Sequence, residues 1–124
     1  MGAVDLEPYV RAWHERFVEA ETARRRLAET ARARLPALTR YLVERYGVTR
    51  VWLFGSLSQD ALHEHSDIDI AAEGLPPGAS LFRAAAELDD LARPFHVDLV
   101  PLEDAFISVR DKILLTGELL YGIP

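Results

Sequence analysis

The chain contains no cysteine. Disulfide frameworks, thiolate metal sites and cysteine nucleophiles are therefore excluded, and any metal must sit on oxygen or imidazole. Lysine is almost absent too, with thirteen arginines beside a single Lys112. No apolar run is long enough to span a membrane, and the opening MGAVDLEPYVRAWHERF, with its acids and early proline, does not read as a signal peptide. A cytoplasmic protein with no membrane partner is expected. What remains is 124 residues, 49% of them hydrophobic, enough for one compact core without staples.

Charge is unevenly spread. The formal net charge is −6, yet residues 1–46 hold nine arginines against seven acids, and residues 47–124 hold five basic residues against thirteen acids. Such an acidic second half repels a long polyanion, so stable nucleic-acid binding is not expected, whereas a small phosphate bridged by a cation is compatible with it.

Hydrophobic spacing predicts a long helix over 8–34, with Trp13, Phe17, Ala20, Leu27 and Ala31 recurring along one side. That stripe is thin. Arg24, Arg25, Arg26, Arg32 and Arg34 crowd the rest, and this charge run reads as a solvated face. Pro36 opens a second helix with Leu38, Leu42 and Tyr46 on one side and Gly47 as its stop. Val51 to Phe54 are consecutive and apolar, which suits a strand covered on both faces. Leu57 to Leu62 then reads as a short helix, His63 to Ser66 as a polar connection and Asp67 to Ala72 as a second strand. Ser80 is placed to cap a helix running to Arg93, with Leu81, Ala85, Leu88 and Leu91 inward and Pro94 ending it. Phe95 to Val100 forms a third strand closed by Pro101. A last helix carrying Phe106, Val109, Ile113 and Leu114 stops at Gly117, before an apolar tail at Leu119 to Tyr121. The pattern is that of a helix-led α/β domain with a small sheet.

Chemistry concentrates in VWLFGSLSQDALHEHSDIDIAA. Residues two apart in a strand share a face, so Asp67 and Asp69 stand together while Ile68 and Ile70 turn to the core. Two fixed carboxylates repel unless a proton or a cation lies between them. Magnesium favours such oxygen donors together with substrate phosphates. Asp98, alone among apolar neighbours in FHVDLVP, is costly without a partner and adds a third carboxylate if its strand lies beside the second. Gly55 after a buried strand lets the backbone bend and a phosphate come close; Ser56 can donate its hydroxyl, and the amides that follow favour an anion. Each feature has an ordinary alternative: a solvent-facing strand edge for Asp67 and Asp69, an arginine ion pair for Asp98. Their joint occurrence points to phosphoryl chemistry. His63 and His65 fall in a polar loop and His14 on the first helix, and none is given a role. His96 shares a strand face with Asp98 and is a candidate pocket residue.

These residues resemble the minimal nucleotidyltransferase (MNT) family, small relatives of the DNA polymerase beta-like palm. The family signature is Gly-Ser, ten residues, then Asp-x-Asp, here Gly55-Ser56, Leu57 to Ser66, and Asp67-Ile68-Asp69. The likeness continues through HVDLVPLEDA, which puts Asp98 at the third carboxylate, and through ILLTGELLYG; it covers about 36–124. Gln59 and Asp60 stand where members often carry arginine and glycine. The resemblance implies an α+β palm with a small mixed sheet over 36–124 and a helical extension over 1–35. It implies catalytic and metal-binding Asp67, Asp69 and Asp98, two Mg2+ ions, and ATP seated on Gly55 and Ser56. It also implies transfer of AMP to a tyrosine of a partner HEPN toxin, so that the chain acts as an antitoxin. Transfer to a small molecule and non-catalytic binding of a HEPN protein are the alternatives. The N-terminal helix, outside the likeness, is expected to dock a partner or a second copy.

Overall fold

The computed structural model describes all residues except 1, 3 and 64; Glu64, within the expected polar connection, therefore lies outside the described residues. Helix α1 (Glu7–Arg32) leaves solvent only at its end, where Ala31 is buried and Leu27 and Ala28 pack against the core. Arg32 fastens that end, reaching Glu118 at 3.1 Å and the Leu57 carbonyl at 3.4 Å. Trp13 and Phe17 do not pack inward: they are 72% and 58% exposed. Helix α2 (Leu35–Tyr46) buries Leu35, Leu38 and Leu42 and ends at Gly47, whose φ of 67° gives the left-handed cap expected from its sequence.

Strand β1 (Arg50–Phe54) is central, with Val51, Trp52 and Leu53 all buried, as a strand covered on both faces requires. It pairs antiparallel with β2 (Ile68–Glu73), and β2 pairs parallel with β3 (Val97–Pro101). The fourth strand, β4 (Glu118–Tyr121), adds to the other side of β1, giving the order β3-β2-β1-β4. That tail reads as merely apolar in sequence because its strand character comes from the distant β1, where Leu119 faces Trp52.

Alternation along the strands divides the core. Val51, Leu53, Ile68, Ile70 and Ala72 pack on one side with α2 and with Leu88 and Ala92 of α4 (Ala79–Ala92). Trp52 and Ala71 pack on the other side with Leu102 and with Ile113 of α5 (Ile107–Thr116). Three expectations shift. Helix α3 is one turn, Gly55–Ser58, beginning at the glycine itself rather than at Leu57. Helix α4 has Gly78 rather than Ser80 at its cap, and Ala84, Leu88 and Ala92 are its buried residues while Leu91 is 42% exposed; the single Leu88 anchors it, and small alanines let it approach the sheet. Phe106 precedes α5 and is exposed, leaving Ile113 as that helix's anchor. Among the described residues, no helix is long and apolar enough to cross a membrane.

Candidate active site

The end of β1 and the starts of β2 and β3 meet at one edge of the sheet. Register pairs Phe54 with Asp69, and Asp69 with Asp98. Asp69 follows Ile68 into the strand and shares the parity of Ala71, so it lies on the α5 side while Ile68 and Ile70 are fully buried opposite. Asp67 sits one residue ahead of β2, not inside it, and is exposed. Asp98 is also exposed, so the burial cost expected from its apolar neighbours does not apply; its significance is its place directly beside Asp69.

Electrostatics ties the three together. Asp69, half-buried, has its pKa raised from 3.8 to about 6, first by desolvation and then by the negative charges of Asp98 and Asp67. Among the described residues, none of the three has an ion-pair partner, and the arginine bridge considered for Asp98 is not formed. Nor do three acidic or imidazole groups close into a ready-made ion cage among the described residues. The set is thus open and mutually repelling. It fits a divalent ion whose shell is completed by phosphate oxygens rather than by protein alone.

Gly55 is where the chain makes room. Its φ is 72°, and a Cβ there would fall on the Asp69 carboxylate; glycine is needed for both the turn and the neighbour. The loop after it is locked, with Ala61 N–H donating to the Ser56 carbonyl at 2.8 Å and the Ser58 hydroxyl to the Gly55 carbonyl at 2.7 Å. Since α3 has only four residues, its dipole is slight, and what the turn offers an anion is the Ser56 hydroxyl and nearby backbone N–H groups.

A cavity of about 570 Å³ opens on the other side of Gly55 and Ser56, between the end of β1 and α5. Phe54, Val109 and Ile113 give it apolar walls, and Ser108, Lys112 and Thr116 line it at four-residue intervals along α5. Among the described residues, Lys112 is the one charged side chain that lines it. Sequence reading passed over it, although the 108–112–116 spacing and the uniqueness of the lysine were both visible. His96 does not line this cavity: it borders a separate, smaller recess of about 320 Å³ with His65 and Asp67, and its Nδ1 lies 3.9 Å from Asp89. His14 is exposed on α1.

A family model described as polymerase beta, nucleotidyltransferase, matches residues 37–123. Among curated proteins, none matches the chain in sequence. Among solved structures, a toxin–antitoxin with AMP-PNP is similar at 28% identity and a TM-score of 0.62, over 70% of this chain and 73% of that one. A protein described as a minimal nucleotidyltransferase is similar at 28% identity and 0.61, over 73% and 93%. A tri-AMPylated Shewanella oneidensis HEPN toxin in complex with MNT antitoxin shares the fold at 24% identity and 0.61, over 75% and 73%.

Proposed function

The chain belongs to the polymerase beta nucleotidyltransferase family, and from that premise we propose that it transfers AMP from ATP to a protein hydroxyl, a tyrosine of a HEPN toxin, in the cytoplasm. The observation that carries this reading is the meeting of Asp67, Asp69 and Asp98 at the sheet edge beside Gly55, next to a cavity whose one charged group is a cation. The likeness to a toxin–antitoxin holding AMP-PNP supports both the nucleotide and the kind of partner.

In this reading Gly55 and Ser56 seat the triphosphate, and Lys112 faces its charge from α5. Asp67 and Asp69 would hold two magnesium ions, with Asp98 on the catalytic one; bound there, the ions supply charge neutralisation and acidify the acceptor hydroxyl. Asp98, the more open of the strand carboxylates, would favour loss of the proton from the acceptor hydroxyl. A bond forms from the acceptor oxygen to the α-phosphorus, and pyrophosphate leaves. The catalytic unit is assigned to 36–124, with residues 1–35 as an extension.

The test is incubation of the chain with α-labelled ATP, magnesium and the protein encoded next to it. Label is expected on a tyrosine of that protein and is expected to vanish with Asp69→Asn while the complex persists. Full neutralisation of the toxin in cells by the Asn variant would show that binding alone suffices and overturn the enzymatic reading.

A further inference from the structure

Every described residue from 4 to 20 is exposed, so the first half of α1 stands free of the domain. It nevertheless carries Leu6, Val10, Trp13 and Phe17 at alternating four- and three-residue steps, each 58% exposed or more. Extended by Ala20 and Arg24, these positions make a seam of the heptad kind used by paired helices. A half-helix this short is marginal in water without a partner. Two asymmetries along it say what the partner is.

The first is charge. Residues 5–21 hold five acids against two arginines, and Arg24, Arg25 and Arg26 follow directly. The second is size, because the large seam residues lie in the first half and Ala20 and Ala23 in the second. Parallel pairing sets like against like on both counts, whereas antiparallel pairing of two identical helices sets the acidic end against the arginines, with the large residues meeting only at the centre and Leu6 lying along the stem of Arg24. We propose that a second copy of the chain docks antiparallel on this seam, the two helices crossing near Glu15. This centring brings Trp13 of one copy against Phe17 of its partner and Val10 against Ala20. Glu7 and Arg25, eighteen residues and five full turns apart, share one flank of the seam, so each Glu7, which in the single chain meets only the exposed Arg11 one turn on at 3.3 Å, runs beside its partner's Arg25. Glu15 points away on the far side of each helix, while Arg16, on the other flank of the seam, comes level with its own copy near the two-fold axis, the one like-charge approach this centring brings. The seam ends where α1 meets its own core at Leu27 and Ala31, and pairing leaves the cavity beside Gly55 untouched. The inference is independent of the transfer reaction.

Sedimentation velocity of the full chain over a concentration series is expected to show a monomer–dimer equilibrium in roughly the micromolar range, as suits a small two-helix contact. Trp13→Glu should leave only monomer, with the thermal midpoint of the domain retained and helical content lowered by no more than the free half of α1. Glu7→Arg and Arg25→Glu should each weaken the dimer about tenfold, and the double swap should restore most of it, a recovery that unspecific apolar sticking would not produce. A wild-type chain that stays monomeric at all concentrations, or that associates only with a different protein, overturns the proposal. So does a Trp13→Glu variant that still dimerises, or a double swap without recovery. Magnesium-ATP binding is expected to be unchanged in Trp13→Glu.

Discussion

At the scale of single residues, the site is decided by charges that repel one another. Asp69 titrates at about 6 in the folded chain and at 3.8 when unperturbed. Between those values the folded chain holds a proton that the unfolded chain has released, so the stability from this group is complete below its unfolded value and is lost as pH rises through about 6. For a half-exposed group the loss amounts to about 1 kcal/mol after solvent screening. Asp69→Asn removes it: metal-free variant protein should be more stable than the parent by about 1 kcal/mol near neutral pH and equal to it near pH 4, read as urea midpoints. A variant less stable at both would mean that Asp69 serves a structural pair. Lys112 is the opposite case, the cation that the proposed function sets against a triphosphate. Lys112→Gln should raise the Kd for magnesium-ATP about tenfold and that for AMP far less, with Arg restoring the affinity. Equal weakening of both ligands would place Lys112 on the nucleoside instead.

At the scale of elements, α1 behaves as two pieces. Residues 7–20 are all exposed, whereas Ala31 is fully buried and Arg32 bonds Glu118 and the Leu57 carbonyl. A cut placed by sequence resemblance, after residue 34, therefore removes part of the core. Deleting residues 2–20 should move the thermal midpoint by only a few degrees, while deleting 2–34 should cost about 2–4 kcal/mol through lost burial of Leu27, Ala28 and Ala31 and the loss of the Arg32 bonds. Equal midpoints for the two truncations would show that the α1 end is dispensable.

At the scale of the whole molecule, a chain of net charge −6 with its acids gathered in the second half has to bind a polyanionic nucleotide. In the proposed function cations arrive with the ligand, since Lys112 alone does not offset three carboxylates. ATP with magnesium should raise the thermal midpoint in proportion to the logarithm of ligand concentration above Kd, and ATP with a chelator should not. Equal shifts under both conditions would remove the metal from the proposed site.

Sequence alone determined the parts of this protein that depend on near neighbours. The buried β1 followed from four consecutive apolar residues, the stop of α2 from Gly47, and the inward turn of Ile68 and Ile70 from strand alternation. The family was legible in the spacing from Gly55-Ser56 to Asp67-Ile68-Asp69, because a glycine turn and a carboxylate pair are local chemistry. Tertiary structure decided what depends on residues far apart. The facing of Asp69 and Asp98 required the parallel register that α4 sets by carrying the chain from β2 to β3. The strand nature of Glu118–Tyr121 required β1 as its template, and Lys112 came to line one cavity with Gly55 and Ser56 only through the packing of α5 against the end of β1. The fate of α1's stripe was likewise non-local. Trp13 and Ala31 lie on the same helical face, yet one is bare and the other buried, because the domain ends between them. Periodicity states which residues can share a face; only the assembled chain supplies the surface that face meets.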